Sequence, residues 1–165
     1  ARNDHDSVGA VVLSVVKNAP AGLGEPLYDK LDSALAAALM GINGVKAVEI
    51  GAGVKASETF GSVNNDEMDE LGFLSNNAGG ILGGISSGED IVLKSHFKPT
   101  PSIFKEQKTL NLQGEVVDFE LRGRHDPCIG IRGSVVATAM IRLVIADMLL
   151  LNATIKLDNL KKIYG

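Results

Sequence analysis

Residues 26–50, PLYDKLDSALAAALMGINGVKAVEI, hold the clearest structural signal in the chain. Pro26 suits the first turn of a helix, and the pair Asn43-Gly44 is typical of a helix end. Between them, apolar residues recur at helical spacing, namely Leu27, Leu31, Ala34, Leu35, Ala38 and Leu39. Residues 45–50 then alternate apolar and polar side chains, as a half-buried strand does. The segment predicts a helix that begins near Pro26, followed directly by a strand.

A second strand is expected before this helix. Residues 8–16, VGAVVLSVV, form a β-branched run without helical spacing, which indicates a buried strand. The run ends in a cluster of turn residues, which are Asn18, Pro20, Gly22 and Gly24. We expect the strand at residues 45–50 to return beside this first one.

The second half of the chain repeats strand and helix signals. Residues 90–97 and 115–121 alternate like strands and are expected to pair as antiparallel neighbours. Residues 133–152 carry apolar side chains on nearly every face, which predicts a long helix covered on both sides, and residues 157–164 predict a short terminal helix. The order predicts a single α+β domain over residues 1–165, with two long helices on one face of a mainly antiparallel sheet.

Composition excludes several classes of function. The 165 residues have a hydrophobic content of 45%, enough for a core, and 16 basic against 20 acidic residues give a net charge of -4. No broad cationic surface is expected for nucleic acid or an anionic membrane. Residues 134–151 have the length of a membrane span, but Arg142 and Asp147 inside it would be costly there. No export leader is visible, and Cys128 is the single cysteine, so we expect a cytoplasmic location.

A long loop region is expected over residues 52–88, which are rich in glycine, serine, asparagine and acidic residues. Within it, residues 75–88, SNNAGGILGGISSG, bring backbone amides without a Cβ close to any ligand, such as a phosphate or a flat cofactor. The alternative is a flexible connection with turn glycines, because neither the phosphate-binding loop nor the GxGxxG pattern is matched. We expect residues 52–86 to be mobile without a ligand.

A possible phosphate clamp follows the strand at residues 90–97. Lys98 places a cation beside the hydroxyls of Thr100 and Ser102, and Pro99 and Pro101 stiffen the segment. The alternative is an ordinary proline-rich turn with a solvated lysine.

A third candidate precedes the second long helix. Arg124, His125 and Asp126 offer an anion donor, a titratable imidazole and a carboxylate base within one turn. The alternative is a loop in which Asp126 caps the helix. His5 and His96 are expected to be ordinary surface or sheet residues, and no ligand spacing connects the three histidines into a metal site.

These segments together resemble the chorismate synthase family. The blocks occur in the family's order across the chain: DSVGAVV, PAGLGEPLYDKLD, ALMGINGVKAVEIG, SNNAGGILGGISSG, KPTPS and GRHDPCIGIRG. The resemblance begins near the middle of the family's chain, so it implies a C-terminal half of a β-α-β sandwich subunit. The family's two catalytic histidines would lie in the missing N-terminal half.

The resemblance implies roles for particular residues. Asp126 matches an acidic catalytic residue near the flavin, and Arg124 matches a contact to both flavin and substrate. Position 44 is glycine where the family often has alanine, an exchange that should be tolerated if the backbone makes the contact. The implied flavin contacts are Asn43, Gly44, Gly83, Lys98, Pro99, Thr100, Pro101, Ser102 and Arg124.

The implied reaction is the anti-1,4-elimination of phosphate from 5-enolpyruvylshikimate 3-phosphate to give chorismate, with reduced FMN as cofactor. The resemblance also implies a homotetramer in the shikimate pathway. By itself, the chain is expected to be inactive, and retention of FMN by the chain alone is left open, since half of the site would be absent. Two alternatives stay open: an inactive folding or oligomerisation domain of that enzyme, and a module that binds a phosphate ligand.

Overall fold

The computed structural model describes residues 1–121, 123 and 125–165. A short 3-10 helix, Arg2–Asp4, precedes the first strand, and another, Gly53–Glu58, follows the second. The strands and α-helices come in the order β1 (Ala10–Val16), α1 (Leu31–Met40), β2 (Val45–Ile50), α2 (Gly61–Asn64), β3 (Met68–Asp69), β4 (Gly72–Phe73), β5 (Ile81–Leu82), β6 (Ile85–Ser86), β7 (Ile91–Phe97), β8 (Gln107–Leu110), β9 (Val116–Phe119), α3 (Gly130–Ile155) and α4 (Leu157–Tyr164).

The main sheet has three strands in the order β1-β7-β2, and β7 is antiparallel to both neighbours. The prediction that β2 lies beside β1 is therefore wrong. A strand-helix-strand connection makes β1 and β2 run in the same direction, and β7 fills the place between them with opposite direction. Its strictly alternating burial, with every second residue inside, suits this central position.

The hydrophobic core lies between this sheet and the two long helices. Its largest contributions come from α1, β7 and α3, and the buried side chains are Leu31, Leu35, Leu39, Ile91, Leu93, Ala137, Ile141 and Met148. The helices thus cover one face of an antiparallel sheet, which confirms the predicted α+β class. The other face carries charge, because Glu49 lies 3.3 Å from Lys94 Nζ and 2.8 Å from His96 Nε2.

Two predicted boundaries differ from the structure. Helix α1 begins at Leu31 rather than near Pro26, because Asp29 has a φ of 53° and interrupts helical geometry. The first helical amide, Leu31 N–H, donates to the carbonyl of Gly84. The strand predicted at 115–121 does not pair with β7; β9 pairs with β8 in an exposed hairpin, and the polar sequence QKTL of β8 gave little strand signal.

The region at residues 52–88 is more structured than its composition suggested. It holds a 3-10 helix, the four-residue helix α2 and two short antiparallel ladders, β3-β4 and β5-β6. Its end is fixed to the core by Ser86, whose hydroxyl donates to Pro20 O and accepts from Leu23 N–H. This end of the segment is therefore anchored to the turn at residues 20–23.

Helix α3 is the longest element, at 26 residues. By length and composition it could cross a membrane, but core helices of soluble proteins can have the same length and composition. Arg142 and Asp147 within the helix would also be costly in a membrane. Only 17% of its most apolar stretch is buried within the chain. The prediction that both of its sides are covered is thus wrong for the described chain, because most of that stretch stays exposed although α1, the sheet and α4 all contact α3.

Candidate functional site

The loop that follows α1, the KPTPS segment (residues 98–102) and residues 125–127 meet at one end of the sheet. The amide of Lys98 donates to the carbonyl of Gly44 at 2.9 Å. The residues that lead into β1 join the other two segments: Ser7 Oγ donates to Thr100 O at 2.6 Å, and Val8 N–H donates to Pro127 O at 2.8 Å. Segments that are distant in the sequence are therefore held together by two backbone hydrogen bonds and one from a serine side chain.

Asp126 lies at the centre of this region, because it lines three neighbouring cavities. A cavity of about 660 Å³ is shared with Asn43, one of about 490 Å³ with Thr100, and one of about 430 Å³ with Ser102. We call these four residues the Asp126 cluster. All four are residues to which the sequence assigned a role.

Asp126 does not cap the helix that follows it. Helix α3 begins at Gly130, and no side chain caps its first turn. The carboxylate instead pairs with Arg132, whose Nη1 lies 3.1 Å from Asp126 Oδ2. The capping alternative is therefore not what the structure contains.

Two buried polar atoms beside Asp126 have no partner within the described part of the chain. They are the hydroxyl Oγ1 of Thr100 and Nε2 of His125. Both residues line the cavity of about 490 Å³ together with Asp126. An unpaired buried polar atom costs about 1–3 kcal/mol, so a ligand with donors or acceptors at this place would be stabilised.

Comparison with known proteins identifies the family. A sequence profile of chorismate synthase matches residues 1–150. The chain belongs to the chorismate synthase family. The chorismate synthase of Campylobacter concisus (strain 13826) is 87% identical over 165 residues, which are all of this chain and 46% of that relative. The chorismate synthase of Campylobacter jejuni subsp. jejuni serotype O:2 (strain ATCC 700819 / NCTC 11168) is 63% identical over 165 residues, with the same two coverages.

A crystal structure of chorismate synthase supports the same assignment. It superposes with a TM-score of 0.74 at 31% identity and covers 93% of this chain and 40% of that chain. The resemblance seen in the sequence blocks is thus confirmed. The chain spans 46% of the length of the two curated relatives.

One residue expected at the chorismate synthase flavin site lies elsewhere. Gly83 occupies the turn between β5 and β6, and the carbonyl of the adjacent Gly84 accepts the first amide of α1. Asn43 follows the other end of α1, a helix of ten residues and therefore about 15 Å long. The structure does not bring Gly83 to the Asp126 cluster. Arg124 lies outside the described residues.

The KPTPS segment divides into exposed and half-buried positions. Lys98, Pro99 and Pro101 are exposed, whereas Thr100 and Ser102 are half-buried and line cavities beside Asp126. The two hydroxyls therefore lie at the site, and the Lys98 side chain is free to move in solvent at its edge. The exposed Lys98 matches the alternative of a solvated lysine, and the phosphate clamp stays a prediction.

Sequence reasoning missed two contributors. His5, taken for an ordinary surface residue, is exposed but lines the cavity of about 430 Å³, and its ring meets Phe104 edge to face at 6.2 Å. Phe104 in turn lies 5.9 Å from the ring of His125. Arg132 was also missed, although it lies in the block GRHDPCIGIRG. The apolar spacing of the helix drew attention to its buried side, and a single arginine in this helix gave no signal of its own.

Proposed function

We propose that this chain supplies the Asp126 side of a chorismate synthase active site. The complete enzyme would eliminate phosphate from 5-enolpyruvylshikimate 3-phosphate to give chorismate, a lyase reaction of the shikimate pathway in the cytoplasm. The observation that supports this is the meeting of Asn43, Thr100, Ser102 and Asp126 on adjoining cavities, in a chain of this family.

The residues at this site fit a flavin. The unpartnered Thr100 hydroxyl suits the carbonyl and nitrogen edge of an isoalloxazine ring, and the Gly44 backbone lies directly against the KPTPS segment. The chain's further contacts would come from Asn43, Lys98, Pro99, Pro101, Ser102 and Arg124, without Gly83, which lies at the other end of α1. When bound, reduced FMN supplies electron density for breaking the C–O bond to phosphate.

The chain's own residues would perform two tasks. Lys98, and Arg124 if placed as the family implies, would compensate the negative charge of the phosphate. Asp126 Oδ2 is engaged by Arg132, and Oδ1, which has no partner in the part of the chain that the structure describes, would accept a proton. Since the family's histidines have no counterpart here, the remaining acid-base groups and most substrate contacts would come from the other half of the enzyme, within a homotetramer.

A chimeric enzyme tests the proposal. This chain replaces the matching 46% of the Campylobacter concisus relative, and chorismate is measured with pre-reduced FMN. We expect turnover comparable with that of the relative and none from the chain alone. A chimera that melts cooperatively and binds FMN, yet forms no chorismate, would contradict the proposal.

Titration of the chain alone separates the remaining possibilities. If it binds FMN, the half-site is already formed; if it binds neither FMN nor inorganic phosphate, it serves by itself as a folding or assembly domain. The exposed face of α3 favours that second role for the isolated chain, because such a face needs a partner. Binding of phosphate without FMN would indicate a phosphate-ligand module.

A further inference from the structure

We propose that Arg132 is a positioning residue, which orients the Asp126 carboxylate so that Oδ1 faces the bound ligand. The inference rests on the proposed role of Asp126 in the flavin site. Its basis is the contact of 3.1 Å between Arg132 Nη1 and Asp126 Oδ2. With Oδ2 engaged, rotation of the carboxylate is restricted, and Oδ1 has no partner among the described residues.

Arg132 can hold this position because its helix is seated firmly. It is the third residue of α3, and two glycines flank it. A Cβ at Gly133 would lie 2.6 Å from the ring of Phe97, and one at Gly130 would collide with the Cβ of Ala10. The first turn of α3 therefore rests directly on β7 and β1, which fixes the backbone that carries the guanidinium.

Stability does not explain an arginine at this place. The Arg132 side chain is 78% exposed and that of Asp126 38%, and exposed ion pairs contribute little to folding. A cation in the first turn is also disfavoured by the helix dipole, which prefers negative charge there. Local energetics would thus select against Arg132, so its presence is better explained by the group that it holds.

The surroundings of the pair indicate what that group does. Arg132 lines two of the three cavities that Asp126 lines, the one shared with Asn43 and the one shared with Thr100. The pair therefore stands inside the Asp126 cluster and not on a remote surface. A planar guanidinium with five N–H donors in a fixed fork is suited to orienting a carboxylate.

The test is a double-mutant cycle in the chimeric enzyme, with Arg132→Gln, Asp126→Asn and the double variant. We expect Arg132→Gln to lower kcat by roughly 10- to 100-fold, the scale of a misplaced catalytic group, with little change in KM. In the Asp126→Asn background the same change should have no further effect, because the two residues act as a unit. Arg132→Lys should restore part of kcat, since a point charge can still pair with Oδ2.

Controls make the outcomes distinct. Arg142→Gln removes an arginine of the same helix that lines a different cavity, and should leave kcat unchanged. FMN affinity, measured by titration, should stay within about twofold in Arg132→Gln, as expected if Arg132 acts through Asp126 and not by binding the cofactor. Equal losses of kcat in both backgrounds, or a matching loss of FMN affinity, would overturn the inference while leaving the proposed function standing. Near-normal turnover of Asp126→Asn would overturn both roles, that of Asp126 and that of Arg132.

Discussion

Asp66 shows how one carboxylate organises the start of the glycine-rich stretch. Its oxygens accept hydrogen bonds from Ser75 Oγ at 2.6 Å, from Asn77 N–H at 2.6 Å and from Ala78 N–H at 2.8 Å. Burial by itself raises the pKa of Asp66. The hydrogen bonds together outweigh the effect of burial, so the pKa of Asp66 lies below the usual 3.8. The folded chain therefore favours the ionised carboxylate.

The pH dependence of this segment follows from that direction. A lowered pKa means that the stabilisation is fully present above the usual Asp value and is lost as the pH falls through the folded pKa. We expect residues 75–80 to keep their amide protection at neutral pH and to lose it in acid before the main sheet does. Protection factors corrected for intrinsic exchange measure this, and Asp66→Asn should show the loss already at pH 7. If the amide protection of residues 75–80 changes neither with pH nor with Asp66→Asn, the role of Asp66 is refuted.

Gly44 is the other single residue with a sharp expectation. It has a φ of 91°, and a Cβ there would lie 2.8 Å from Ile129 Cδ1. Although the family often has alanine at this position, Gly44→Ala should cost this chain about 2 kcal/mol, from left-handed backbone strain and the contact together. Gly114→Ala is the matched control, with a φ of 81° and open space around it. Denaturant melts should show a larger loss for Gly44→Ala; equal losses would mean that Ile129 moves aside freely.

At the scale of elements, alternation and helical spacing located most of the fold but not its strand order. The β-branched run of β1, the alternation of β2 and the spacing in α1 and α3 were sufficient to predict these elements. Pairing was not predictable, because periodicity assigns a strand to a face and does not choose its neighbour. The predicted helix start at Pro26 was wrong because the left-handed Asp29 cannot be foreseen from apolar spacing.

The residues of the candidate site likewise include some that the sequence predicted and some that it missed. Asp126, Thr100 and Ser102 were found because unusual polar residues cluster in short, proline-bound segments. Arg132 was missed because it stands on an apolar helix, although it is only six positions from Asp126 in the sequence. His5 was missed because it meets the site only through tertiary packing, from the residues that lead into β1. Proximity of residues more than 100 positions apart leaves no local signal in a single sequence.

The mobility predicted for residues 52–86 is expected mainly in the first part of this region. Residues 75–86 are tied by Asp66, by the β5-β6 ladder and by Ser86, whereas Phe60 and Leu71 in the preceding part are 83% and 96% exposed. We therefore expect fast amide exchange over residues 53–72 and slower exchange over 75–86, with β7 slowest. Hydrogen exchange followed by mass spectrometry would show this gradient, and uniform protection from 53 to 86 would contradict it.

For the whole molecule, the distribution of apolar surface points to a larger assembly. Helix α3 exposes a row of large side chains, and the β8-β9 hairpin is exposed along its length; these residues include Ile131, Val135, Leu143, Leu150, Leu110, Val116 and Leu112. Contiguous apolar surface of this kind is rare on soluble monomers and marks contact surfaces. Because the curated relatives are longer than this chain, we expect the remainder of the enzyme to cover α3.

The turnover of Asp126→Asn in the chimeric enzyme shows most directly whether the Asp126 carboxylate serves the flavin site. Asparagine keeps the size of the side chain and removes the carboxylate, so chemistry changes more than folding. With pre-reduced FMN, we predict that kcat falls by roughly two or more orders of magnitude, the usual scale for a general base, while the melting temperature stays nearly constant. Near-normal kcat in a variant of unchanged melting temperature would contradict the claim that Asp126 is at the centre of the flavin site.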